Sequence, residues 1–190
     1  LEHMDWSYLD MIHNKEQQRG TFSPLAAMEL SEIEENKDKY LATGLEAVKN
    51  GKVGAILLAG GQGTRLGFDK AKGMFNIGKT KELYIFEQLI ANLMKVTNEA
   101  GTWVPLYVMT SEINDGMTRE FFEEHDYFGY NKDYVKFFIQ EMVPAVDFDG
   151  NLLMKSEDSL AMSPNGNGGW FKSLINAGLD KDLKDKGIEW

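Results

Sequence analysis

The stretch Val53-Gly54-Ala55-Ile56-Leu57-Leu58-Ala59-Gly60-Gly61-Gln62-Gly63-Thr64-Arg65-Leu66-Gly67 decides how the whole chain is read. Its first seven residues are too few for a helix and lack the alternation of a half-exposed strand. They predict a central strand covered on both faces. The glycines that follow fall at the carboxyl end of that strand, where open α/β sheets place their ligands. Gly60, Gly61 and Gly63 let the backbone turn sharply and bring N–H groups against an anion, with no Cβ in the way of a phosphate or a flat base. Arg65 adds a charged fork that suits a polyphosphate better than a plain turn. The dinucleotide fingerprint fails on spacing: counted from Gly61, its third glycine should stand at Leu66 and stands instead at Gly67.

Working outward, Leu83, Phe86, Ile90, Leu93, Met94 and Thr97 share one helical stripe closed by Gly101, which predicts a crossover helix over residues 82–99. A second strand over 104–109 runs into Thr110-Ser111, a helix carries Phe121 and Phe122, and a third apolar run covers 135–139. Strand, helix, strand, helix, strand is the pattern of a parallel α/β sheet. Asp149-Gly150 between two short apolar runs predicts a small β-hairpin, residues 163–169 read as irregular, and a helix is expected over 170–177. Upstream, residues 5–50 are polar and helical in character, with Ser23 and Pro24 placed to start one helix and Ser31 and Glu34 spaced as a capping box. The expected organisation is a helical N-terminal region over 1–50 and an incomplete nucleotide-binding α/β domain over 51–190. Leu1 to Met4 show no pattern and are set aside as a cloning remnant. Ile188-Glu189-Trp190 reads as a strand just starting, so the chain is expected to be incomplete.

A second phosphate motif competes with the first. Gly73-Met74-Phe75-Asn76-Ile77-Gly78-Lys79-Thr80 matches the P-loop pattern letter for letter. A P-loop must follow a buried strand, and the preceding Phe68-Asp69-Lys70-Ala71-Lys72 is polar; nor does the strand over 104–109 end in the aspartate that would help hold magnesium. A turn between a short strand and the next helix is the better reading.

Composition limits the remaining classes. With 190 residues, 43% of them hydrophobic, the chain can bury one sizeable core, and its formal charge of −10 with no basic stretch argues against a nucleic-acid partner. The absence of cysteine removes disulfides and thiolate metal sites. No apolar run approaches a membrane span and no signal peptide opens the chain, so a soluble cytoplasmic protein without a membrane partner is expected. Of three histidines, His125 lies among acidic residues and is read as a solvated helix residue.

Four ordered motifs then resemble one family. Leu58-Ala59-Gly60-Gly61-Gln62-Gly63-Thr64-Arg65-Leu66-Gly67, Lys72-Gly73-Met74, Gln140 before Pro144, and Pro164-Asn165-Gly166-Asn167-Gly168-Gly169 are similar to the UDP-sugar pyrophosphorylases, and most of all to their UDP-N-acetylglucosamine (UDP-N-acetylhexosamine) branch. The resemblance implies a Rossmann-like, mostly parallel sheet of the nucleotide-diphospho-sugar transferase type, flanked by helices. It implies UTP and a sugar 1-phosphate as substrates, with a UDP-sugar and pyrophosphate as products. Leu58, Ala59, Gly60 and Gly61 would line the uridine and phosphate site, Arg65 and Lys72 would hold the reacting triphosphate as catalytic residues, and Gln140, Gly166 and Asn167 would sit at uracil and ribose. Mg2+ would bridge the phosphates, its protein ligand expected beyond Trp190, with no metal ligand in this chain. Ala71 departs from the family's usual proline before the lysine, which should loosen the loop. The alternatives are a uridine-nucleotide-binding domain without turnover and a P-loop NTPase.

Overall fold

The computed structural model describes residues 20–190. Among these, two compact units separate: residues 36–141 with 166–190, and residues 20–35 with 142–165.

The larger unit is built on β2 (Leu106–Thr110), every residue of which is buried. Successive side chains of a strand point to opposite faces, and here both faces are covered. Leu106 and Val108 enter one core with Phe86, Ile90, Phe121, Phe122 and Val135, while Tyr107 and Met109 enter another with Phe138 and Leu174. Parallel strands flank β2: β1 (Ala55–Leu58) with Ala55 opposite Leu106, and β3 (Val135–Ile139) with Leu106 opposite Val135. The order β1-β2-β3 corrects the expectation that β1 is the central, doubly covered strand. Leu58 is 40% exposed, and the strand flanked on both sides is β2. Alongside the start of β1, Gly54 donates to the Trp190 carbonyl at 2.8 Å and the N–H groups of Glu189 and Trp190 reach the Lys52 carbonyl. The expected strand start at 188 therefore has backbone pairing, without a regular strand.

In chain order, α1 (Leu30–Glu35) belongs to the smaller unit and α2 (Lys37–Lys49) to the larger. No helix begins at Ser23; residues 20–29 are irregular, and Ser31 lies inside α1 rather than capping it. The rest of the predicted helical region, before residue 20, lies outside the described residues. The crossover helix α3 (Ile85–Ala100) buries Phe86, Ile90 and Thr97 of the predicted stripe and stops at Gly101, whose φ of 70° is left-handed. Helix α4 (Asp115–Glu124) buries Phe121 and Phe122. Its C-terminal His125 is not a solvated residue: it is half-buried, its Nδ1 lies 2.8 Å from the Phe121 carbonyl, and its ring packs against Tyr84, Phe121 and Phe128. Beyond it Asp126, Tyr127 and Phe128 all have left-handed φ, a costly turn for residues with a Cβ that the burial of Tyr127 and Phe128 against Phe122 offsets.

The smaller unit also contains β4 (Met142–Pro144), β5 (Met154–Ser156), β6 (Ser159–Leu160) and β7 (Met162–Pro164). Strand β4 pairs antiparallel with β7, and β5 with β6. The predicted Asp149-Gly150 turn lies within a bridge between Val146 and Leu152. Asp147 closes that turn by accepting from the Asn151 side chain and from the backbone N–H groups of Asn151 and Asp149, which holds its carboxyl below the usual range. Returning to the larger unit, α5 (Trp170–Asn176) follows as predicted, and α6 (Leu179–Asp185), unforeseen, is anchored where Tyr107 donates to Asp182 at 2.7 Å. Burial first, then the Asp182 carboxylate, pushes the Tyr107 phenol up. Among the described residues no helix is long and apolar enough to cross a membrane.

The P-loop reading ends here. No strand precedes Gly73, which sits in a 3-10 turn (Lys72–Met74), and Asn76 bridges back to Tyr84. Both motif glycines answer to the protein itself: a Cβ on Gly73 would lie 2.2 Å from the Phe86 ring, and one on Gly78 1.9 Å from the Lys81 carbonyl oxygen. Gly78→Ala should therefore cost about 1–3 kcal/mol of stability, whereas Gly61→Ala, with open space around its Cβ, should stay within about 0.5 kcal/mol. Thermal melts of the two variants compare them; equal melting temperatures would remove this structural account of Gly78.

Candidate functional site

The glycine loop leaves β1 and folds back on residues 70–72. Gly63 donates to the Lys70 carbonyl at 2.9 Å and Lys72 to the Gly61 carbonyl at 3.1 Å, with Gln62 opposite Ala71 between them. This pairing brings Lys72 beside Gly61, although eleven positions separate them in sequence. Ala71 is fully buried with φ −56° and ψ 132°, a proline-compatible backbone already held by the hydrogen bonds on either side. Leu58, Ala59, Gly61 and Lys72 line one cavity of about 200 Å³, together with Gly73, Ile85 and Phe86. That is below the roughly 300 Å³ of small whole-ligand sites, and fits part of a nucleotide. Larger cavities of about 560 and 590 Å³ open elsewhere, around Tyr84 with His125 and around Tyr40 with Trp190. The loop cavity is set apart from these not by volume but by its place at the carboxyl end of β1, where open α/β sheets place their ligands.

Gln140 follows β3 at that edge. Its backbone N–H donates to the Thr110 carbonyl at 2.8 Å. Its side-chain amide lies so close to Gly60 that a Cβ there would come within 2.8 Å of the amide carbon and oxygen. A side chain at 60 would have to push the Gln140 amide aside. Gly61 differs: nothing of the protein lies within 4 Å of where its Cβ would be, and its φ is not left-handed. The bare backbone at 61 is the kind that admits a ligand.

The remaining predicted residues are less gathered. Arg65 is exposed on a 3-10 turn (Thr64–Leu66), and the Lys72 side chain is exposed as well. Gly166, left-handed at φ 74°, and Asn167 precede α5 and are exposed. That helix is tied to the end of β3, because Glu141 N–H donates to the Ser173 hydroxyl at 2.8 Å and Lys172 lies 3.2 Å from the Glu141 carboxylate. No hydrogen bond joins Gly166 or Asn167 to Gln140 or to the glycine loop. No three His, Asp or Glu side chains among the described residues gather to hold a metal ion.

Sequence reasoning missed Asn114. It is fully buried at the N-cap position of α4, where its side chain makes no cap hydrogen bond and instead donates to the Ala59 carbonyl at 3.0 Å while accepting from Ser111 N–H at 2.8 Å. The available signal was an Asn before a helical pattern, which points to a cap and not to a strand fifty-five residues away.

The larger unit is thus an α/β protein: a parallel sheet with a glycine loop after one outer strand and a glutamine after the other. The chain belongs to the UDPGP family, described as UTP–glucose-1-phosphate uridylyltransferase, a family of nucleotidyltransferases whose model matches residues 2–190. It is 38% identical over 157 residues to the UDP-N-acetylglucosamine pyrophosphorylase of Saccharomyces cerevisiae, covering 80% of this chain and 33% of the relative. To UDP-N-acetylglucosamine diphosphorylase 2 of Arabidopsis thaliana it is 32% identical over 210 residues, covering 100% of this chain and 42% of that one. The crystal structure of the Trypanosoma brucei uridine diphosphate N-acetylglucosamine pyrophosphorylase in complex with an inhibitor superposes with a TM-score of 0.71 at 32% identity, over 84% of this chain and 35% of that chain. The chain spans 31% to 42% of the length of the curated relatives it matches.

Proposed function

We propose that this chain supplies the UTP site of an enzyme that transfers a uridylyl group to a sugar 1-phosphate, N-acetylglucosamine 1-phosphate above others, and releases pyrophosphate. The observation that carries the reading is the abutment of the Gln140 amide on Gly60, with bare backbone at Gly61 next to it. A uracil edge presents acceptor, donor and acceptor groups, and an amide side chain, itself donor and acceptor, answers it beside a glycine backbone that no side chain shields. The names of the relatives support the sugar.

In the reaction an oxygen of the sugar phosphate attacks the α-phosphorus of UTP in line. The bond from that phosphorus to the bridging oxygen breaks, and pyrophosphate leaves with the electron pair. Such a step needs alignment and charge neutralisation, not a covalent nucleophile. Leu58, Ala59, Gly60 and Gly61 hold the nucleoside and the first phosphate, and Gln140, Gly166 and Asn167 take the base and ribose. Arg65 and Lys72 face the triphosphate. Lys72 is kept there by its backbone bond to Gly61. Residues 51–190 form the nucleotide-binding part in this reading.

Nucleotide choice tests it. Calorimetric titration of the chain should give a UTP dissociation constant at least tenfold lower than that for ATP, the difference expected when about 1.4 kcal/mol of base contacts is lost. Equal binding of ATP, with UTP unable to compete, would overturn the uridylyl site.

A further inference from the structure

We propose that Asn114 is a positioning residue for base recognition, fixing the glycine loop and Gln140 at the separation a uracil requires; this rests on the UTP reading above. The residue touches neither substrate nor reacting atoms. It acts through a hub at the carboxyl end of β2 that reaches both walls of the site.

On one side of the hub, Asn114 Nδ2 donates to the carbonyl of Ala59, the last residue before Gly60, at 3.0 Å, while Ala59 N–H donates to Met109 at 2.7 Å. Both polar groups of Ala59 are thereby bound to the 109–114 segment. On the other side, Thr110 accepts from Gln140 N–H at 2.8 Å, and its hydroxyl lies 3.1 Å from the Phe138 carbonyl and in contact with Asp115. Asn114 locks the turn between them: Oδ1 accepts from Ser111 N–H at 2.8 Å, and its own N–H donates to the Ser111 carbonyl at 3.0 Å. Thr110 and Asn114 are both fully buried, so water does not replace these bonds cheaply.

Asn114 stands at the N-cap position of α4 but its side chain makes no cap hydrogen bond, which separates this role from capping. A hydroxyl also donates and accepts, but the longer amide spans the two partners, offering an acceptor to Ser111 and a donor to Ala59 at once. Asp would set a carboxylate oxygen against the Ala59 carbonyl, and Ser lacks the reach.

The test compares wild type, Asn114→Ser and Asn114→Asp by calorimetric titration with UTP and with ATP, thermal melts checking that each chain is folded. The expected result is that both variants fold, while the ratio of ATP to UTP dissociation constants falls at least tenfold from the wild-type ratio. Because Asn114→Asp buries a charge, Asn114→Ser carries the test if only one variant folds. A preserved ratio in a folded variant, whether both affinities hold or both fall together, overturns the proposal and leaves the UTP reading standing. A wild-type chain that does not prefer UTP overturns the UTP reading itself.

Discussion

Replacing Arg65 or Lys72 by alanine should cut turnover by about 10² or more in the protein at the length of its relatives, the scale seen when a preorganised charge facing a transition state is removed. Both side chains are exposed, so neither substitution opens a cavity or leaves a buried group unpaired. The melting temperature should hold while kcat falls. Lys72 has the more defined place, one backbone hydrogen bond from Gly61 and on the wall of the loop cavity. Lys79→Ala is the control. It lies exposed beyond the turn that Gly78 and Asn76 build, where the Asn76 side chain accepts from the N–H groups of Gly78 and Leu83. Steady-state rates of pyrophosphate release compare the three; a crippling Lys79→Ala with active Arg65 and Lys72 variants would reverse the assignment.

The second large effect concerns the chain by itself. Supplied with UTP, magnesium and N-acetylglucosamine 1-phosphate or glucose 1-phosphate, these 190 residues should release no pyrophosphate above background, while a protein of the relatives' full length does. The chain spans about a third of the Saccharomyces cerevisiae relative, and its described residues offer exposed cations at the glycine loop without a gathered set of carboxylates. Nucleotide affinity and turnover then separate: UTP binds and is not consumed. A coupled pyrophosphate assay on both proteins decides, and robust turnover by the short chain would place the missing groups within it.

Much of the sheet was legible because the relevant signals are local. The run over 135–139 coincides with β3, and the stripe ending at Gly101 gives α3 its buried face and its stop. What sequence could not supply were pairings between distant residues. The apolar run before Gly60 looks like a central strand, but its rank in the sheet depends on which strands lie to either side, and that place falls to β2. The pairing of β4 with β7 joins residues some twenty positions apart, with the Val146–Leu152 bridge and the β5–β6 pair between them, so no local signal announces it. Helix α6 went unforeseen because five of its seven residues are charged and its anchor, the bond from Tyr107, comes from another element. The glycine loop was legible as a turn at the carboxyl end of β1 from its own residues. Gln140 entered through the family resemblance, and the reason it matters, its amide against Gly60, is a three-dimensional fact.

That abutment couples residues 60 and 140. A methyl group at 60 and the glutamine amide compete for the same space, and the amide, as the far end of a flexible side chain, is the partner that swings aside; Gly60→Ala is expected to leave the fold standing while displacing the amide. A substitution at 60 thereby acts at 140, and a lineage loses the amide's placement without any change to the glutamine itself.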